Sequence, residues 1–177
     1  PHLTKIMGGQ ALEFLEGCTA EQPFCLSVSF KAPHVQDREA PYFINDPEYD
    51  DLYADVTIPR FKKLASLYHD NLPDFLKGDY EGHVRSVRRF PTPEKFQESM
   101  KRYYRLITGV DVQVGRIMQA LKDRGFDDNT VIVFASDNGY FLGERAWAGK
   151  YLMHEESIRA PLIIRDPRQA VTKGTRR

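Results

Sequence analysis

A chain of 177 residues with 41% hydrophobic side chains has the size of one globular domain or part of one. Its 25 basic and 25 acidic residues cancel at pH 7, so no net charge calls for nucleic acid or an anionic membrane as the main partner. No apolar run approaches the roughly 20 residues of a membrane span, and two cysteines, Cys18 and Cys25, are too few for a disulfide framework.

The chain opens on Pro1-His2-Leu3 with no Met and no signal peptide, which leaves its native N-terminus and compartment open. Ile6, Met7, Ala11, Leu12 and Leu15 recur at helical spacing, so a helix is expected over Thr4 to Glu16, capped by Thr4 and stopped by Gly17. Phe24-Cys-Leu-Ser-Val-Ser-Phe30 reads as a buried strand, with Cys25 as a small interior side chain. The strand ends in Lys31-Ala32-Pro33-His34, where Pro33 opposes further pairing.

From Val35 to about Pro93 no period is sustained, and the segment reads as surface or functional loops with short helical pieces around Phe61 to Tyr68. Arg85, Arg88 and Arg89 fall here and are read as a solvated loop; Lys173-Gly174-Thr175-Arg176-Arg177 is read as a frayed tail. Phe96, Met100, Tyr103, Ile107, Val110, Val114, Ile117 and Leu121 then step by three and four residues. That spacing predicts one amphipathic helix from about Pro93 to Arg124, stopped by Gly125, with Gly109 and Gly115 as sites of a kink or close packing. Asn129-Thr-Val-Ile-Val-Phe-Ala135 gives a second buried strand, His154 to Arg159 a short helix, and Pro161-Leu-Ile-Ile164 a third strand. Strands alternating with helices argue for an α/β sheet flanked by helices, and three strands are too few to close one.

In open α/β sheets ligands gather beyond the carboxyl ends of strands. The first strand delivers His34 there, and the second delivers Asp137 and Asn138, a hard-oxygen pair suited to Ca²⁺ or Mg²⁺. Lys150, in Trp147-Ala-Gly-Lys-Tyr151, can hold an anion as a compact point charge. Each has a bland alternative: an ordinary Asp-Asn-Gly turn, a surface histidine, a solvated lysine. Together they are a kit for cleaving an anionic ester, with cation and lysine offsetting negative charge and the histidine protonating the leaving oxygen.

The stretches Pro23-Phe-Cys-Leu-Ser-Val-Ser-Phe-Lys-Ala-Pro-His34, Tyr103 to Met118, and above all Asn129-Thr-Val-Ile-Val-Phe-Ala-Ser-Asp-Asn-Gly-Tyr-Phe-Leu-Gly-Glu144 resemble the formylglycine-dependent sulfatases. Gly149-Lys150 and Glu155-Glu-Ser-Ile-Arg-Ala-Pro-Leu-Ile-Ile-Arg165 follow at familiar spacing. The resemblance implies that residues 1–177 are a C-terminal part of the catalytic domain, with an incomplete alkaline-phosphatase-like mixed sheet between helices. It also implies that Asp137 and Asn138 ligate a divalent cation, Ca²⁺ in most of the family with Mg²⁺ as the other option, that Lys150 binds a sulfate oxygen, and that His34 contacts the sulfate or its leaving oxygen. The parent would hydrolyse a sulfate ester, of a small molecule or a glycan, and would work in the periplasm, outside the cell or in the lysosome; oligomeric state is left open.

Departures qualify the match. Neither Cys18 nor Cys25 leads the Cys/Ser-x-Pro/Ala-x-Arg sequence from which the family makes its formylglycine nucleophile, so nucleophile and acidic ligands are expected upstream. Arg145 stands where many relatives carry His after Gly-Glu, and Arg145 and His154 are marked as altered contacts. A phosphodiester or phosphonate hydrolase of the same superfamily is the rival enzyme, disfavoured by Asn138, since phospho-specific relatives more often place His there. A non-catalytic fragment or binding module is the rival of another class.

Overall fold

The structure is a computed structural model that describes residues 2–36, 39–60 and 68–169. Of the expected helical piece around Phe61 to Tyr68, Tyr68 is helical, while 61–67 and the basic tail lie outside these residues. Helix α1 spans Leu3–Glu16 and buries Thr4, Gly8, Ala11 and Leu15, a stripe at steps of four, three and four. Its cap is His2 rather than Thr4: the His2 ring Nδ1 accepts from Thr4 N–H at 3.3 Å. Helix α2, Glu81–Arg89, follows two single 3₁₀ turns, Pro47–Tyr49 and Asp74–Leu76. Helix α3 runs unbroken over Pro93–Asp123.

Both ends of α3 follow from local chemistry. Thr92 Oγ1 accepts from Lys95 N–H and Pro93 occupies the first turn. At the other end Gly125 adopts φ +70°, and the Phe126 N–H reaches the Leu121 carbonyl while the Gly125 N–H reaches that of Lys122. Gly109 is a close approach, since a Cβ there would lie 3.3 Å from the Tyr49 ring, whereas Gly115 faces open space. The helix α1 crosses α3 where Gly8 meets Gln113; a methyl on Gly8 would collide with that side chain.

Strand β1, Ile132–Ala135, pairs antiparallel with β4, Leu162–Arg165, in the register Val133↔Ile164 and Phe134↔Ile163. Strands β2, Phe141–Leu142, and β3, Ala148–Gly149, form a short hairpin, and the one-turn helix α4, Glu155–Ile158, lies between β3 and β4. The β1 ladder starts at Ile132, three residues after the expected start at Asn129, which belongs to a 3₁₀ turn over Asp127–Asn129. The expected α/β character is present, and the ladders among the described residues are antiparallel.

The segment 24–30 is a correction: it makes no ladder among the described residues. Phe24, Leu26, Val28 and Phe30 are half-buried while Cys25, Ser27 and Ser29 are exposed. That period-two pattern is a strand's, but a strand exists only where a neighbour accepts its hydrogen bonds. Cys25 accordingly lies on the surface and not in the interior.

The stretch from Val35 to Pro93 is not merely surface loop. Single apolar anchors, Val35, Phe43, Ile58 and Phe90, enter one core with Phe96, Met100 and Leu106 of α3 and Ala148 of β3. Leu72 enters a second core with Phe141 and Trp147. The arginine cluster is the other correction. Arg85, Arg88 and Arg89 ride on α2, and Arg89 is only 2% exposed.

Candidate active site

Strand β1 delivers the chain into Ser136-Asp137-Asn138-Gly139, and the hairpin β2–β3 returns it at Lys150. The two ends meet. Lys150 Nζ donates to Asn138 Oδ1 at 2.8 Å and lies 3.8 Å from Asp137 Oδ2. The Asn138 amide donates to the Gly139 carbonyl at 2.6 Å, which turns its oxygen toward the lysine, and Ser136 Oγ donates to the Asn138 carbonyl at 2.9 Å. The Asp137 side chain is 83% exposed, so its carboxylate is open to a ligand. The Lys150 ammonium occupies the Asn138 oxygen, and the exposed Asp137 carboxylate is the hard oxygen group of the pair that stays open. Among the described residues no three His, Cys, Asp or Glu side chains group to hold a metal, so the pair can be only part of a coordination sphere.

The loop is anchored on both flanks. The Gly139 N–H donates to the Ser157 carbonyl of α4 at 2.7 Å, and a Cβ on Gly139 would lie 2.4 Å from the Glu156 carbonyl oxygen. Gly139→Ala must therefore push the loop off α4 backbone, which cannot rotate away like a side chain. A loss of about 1–3 kcal/mol is expected, read as a lower urea midpoint of the full-length protein at unchanged m-value. On the other flank Tyr140 stacks on Tyr103 at 6.3 Å and 23°, and Arg89 donates to Tyr140 Oη. Burial holds the Tyr103 phenol above its usual range, with Tyr104 and Glu144 adding to the effect, so the stacked ring is neutral at pH 7.

His34 sits in a turn closed by its own N–H to the Lys31 carbonyl at 2.8 Å. Its Nδ1 lies 2.7 Å from the Val35 carbonyl, which can only accept, so Nδ1 carries the proton of that bond and Nε2 is left for a partner. Val35 belongs to the core that also holds Ala148 of β3 and packs against Tyr140. Exposed His34 is thus tied to the Asp137–Lys150 cluster only through neighbours, Val35 on one side and Tyr140 and Ala148 on the other, that share one core. Among the described residues no hydrogen bond or ion pair joins it to Asp137, Asn138 or Lys150.

Arg145 and His154 are engaged elsewhere. Arg145 bridges Glu156 at 3.1 Å and lies over the Tyr68 ring at 4.6 Å; His154 Nε2 pairs with Tyr68 Oη at 2.9 Å, and its ring sits edge-on to Trp147 at 5.4 Å. Both fasten the hairpin tip to α4 and the Tyr68 segment. Tyr140 carries no signal in the sequence, and Arg89, expected in a solvated loop, is buried against it. A helical projection of 81–89 was the available signal, since Gly82, Ser86 and Arg89 fall on one face and all three are buried.

The fold brings Asp137, Asn138 and Lys150 together at the end of β1, with His34 beside the core residue Val35. The family model for sulfatases matches residues 1–176. The chain belongs to the sulfatase family. It is 29% identical over 227 aligned positions to an N-acetylglucosamine-6-O-sulfatase of Bacteroides thetaiotaomicron, covering 98% of this chain and 39% of that protein. A solved structure described as a complex with its substrate D-glucosamine-2-N,6-O-disulfate superposes with a TM-score of 0.69 at 25% identity, covering 94% of this chain and 43% of the other. A phosphonate monoester hydrolase of Agrobacterium radiobacter superposes with a TM-score of 0.67 at 26% identity, covering 93% and 33%. The fold is that of the alkaline-phosphatase-like sulfatases. The chain spans about two-fifths or less of the length of its curated relatives.

Proposed function

We propose that residues 1–177 are the part of a sulfatase catalytic domain that supplies the anion-binding lysine, the leaving-group histidine and two cation ligands, and that the full-length protein hydrolyses sulfate esters of sugars. The observation that carries this is the meeting of Lys150 with Asn138 and Asp137 at the base of the β2–β3 hairpin. Asp137 and Asn138 offer hard oxygens to a divalent cation, Ca²⁺ by family resemblance. When bound it would neutralise charge on the sulfate oxygens. The formylglycine nucleophile and the remaining ligands belong, in this reading, to polypeptide outside these residues.

Within the chain, the Lys150 ammonium steadies the sulfuryl oxygens and holds them in register with the cation ligands. His34, oriented through Nδ1 by the Val35 carbonyl, presents Nε2 to hydrogen-bond and protonate the departing alcohol. The sugar preference is supported by the relative named for N-acetylglucosamine 6-O-sulfate and by the neighbour solved with a disulfated glucosamine. Phosphonate or phosphodiester cleavage is the second reading, favoured by the likeness to a phosphonate monoester hydrolase.

Parallel assays of the full-length protein on N-acetylglucosamine 6-sulfate, an aryl sulfate and an aryl phosphodiester distinguish the two. The sulfates are expected to turn over faster. His34→Ala should cost more on the sugar sulfate than on the aryl sulfate, because a phenolate leaves with little protonation. Faster cleavage of the phosphodiester would overturn the reading.

A further inference from the structure

We infer that Arg89 and Tyr140 are positioning residues that set the geometry of the Asp137-Asn138 pair for its cation. The inference rests on the cation role proposed above for that pair. Arg89 is the last residue of α2 and is 2% exposed. Burying a guanidinium is expensive unless its donors are met, and Tyr140 Oη meets one of them. The Arg89 guanidinium carbon also lies 5.9 Å from the Tyr140 ring centroid. The Arg89 carbonyl accepts from Ser99 Oγ of α3 at 3.0 Å, so the arginine is itself fixed by the longest helix of the fold.

Tyr140 is two residues beyond Asn138, and its ring is held flat against Tyr103, also from α3. Gly139, between them, is pinned to the α4 backbone. The cation loop is therefore clamped at one point by α4 and at the next by α2 and α3 together. Asp137 and Asn138 lie between Ser136, whose N–H donates to the Pro161 carbonyl at 3.3 Å, and the clamped Gly139-Tyr140, which leaves them little freedom to swing. Without the Arg89–Tyr140 contact the second point is held by the Tyr103 stack alone, and the two oxygens gain freedom to separate. Partners that orient metal ligands in this way commonly govern affinity by about 10- to 100-fold.

The test uses the full-length protein stripped with chelator and titrated with Ca²⁺ by calorimetry, comparing wild type, Tyr140→Phe, Arg89→Met, the double variant and Asp137→Ala. Tyr140→Phe keeps the stacked ring and deletes only the hydroxyl; Arg89→Met keeps an apolar stem and deletes the donors. Each is expected to weaken Ca²⁺ binding about 10-fold or more, and the double variant no further than the weaker single, since both remove one contact. The melting midpoint of the metal-free protein records any loss of packing separately, and Tyr140→Phe alone suffices if Arg89→Met does not fold. Wild-type affinity in Tyr140→Phe with affinity lost in Asp137→Ala would overturn the positioning role and leave the cation site standing. Wild-type affinity in Asp137→Ala would overturn the site itself, and the positioning role with it.

Discussion

Lys150→Ala in the full-length protein is expected to lower sulfate-ester turnover about 30- to 1,000-fold, the equivalent of roughly 2–4 kcal/mol of transition-state stabilisation. The ammonium sits in a sheltered position, its side chain 32% exposed, with Asn138 Oδ1 at 2.8 Å and Asp137 Oδ2 at 3.8 Å. A charge held there in advance needs no reorganisation as negative charge grows on the sulfuryl group, and water is partly kept from screening it. The loss should fall mainly on kcat, since an interaction stronger in the transition state than in the bound substrate is the kind that accelerates chemistry. The side chain belongs to neither core, so the melting transition should survive. Kinetics on an aryl sulfate with a parallel melt decide the matter: unchanged kcat at intact folding would remove Lys150 from the mechanism.

The second large effect concerns the 177 residues produced alone. Val133 and Phe134 are consecutive and point to opposite faces of the β1–β4 ladder, yet they are 59% and 39% exposed. On the partner strand Leu162, Ile163 and Ile164 are all 60% exposed or more. Both faces of this sheet are therefore open. Completing the burial of each such side chain is worth about 1–2 kcal/mol, so the five together represent on the order of 5–10 kcal/mol. That is as large as the net stability of a whole domain. The isolated chain is expected to bind a hydrophobic dye, to melt without a sharp cooperative transition and to associate. In the full-length protein the amides of β1 and β4 should be among the slowest to exchange with deuterium. A sharp, dye-free, monomeric melt of the isolated chain would contradict the proposal that further polypeptide covers this sheet.

How far the sequence alone reaches is clearest at α3. Its eight apolar positions, its Thr92-Pro93 start and its Gly125 stop are all local signals, because a helix closes its hydrogen bonds within itself. The run at 24–30 shows the opposite case. Its alternation is written in the sequence, but whether it becomes a strand depends on a neighbour, and no local signal carries that. The same holds for Val35, Phe43 and Ile58, single anchors in an aperiodic stretch whose burial is decided by what arrives from α3.

Asp137, Asn138, Lys150 and His34 were named as candidates from the ends of expected strands and from family resemblance, since chemistry confines hard oxygens and cations to few residue types. Their arrangement was not. The hairpin decided that Lys150 meets Asn138, and the turn at Val35 decided that His34 offers Nε2. Arg145 and His154 stood out in the sequence as departures from the family pattern with open roles, and tertiary packing sets them against Glu156 and Tyr68. Arg89 was read as a solvated charge until α2 turned it inward onto Tyr140. In each instance sequence determined the kind of group, and the direction it faces was decided by partners distant in the chain, because burial and ion pairing are energies of contact with residues that local spacing does not encode.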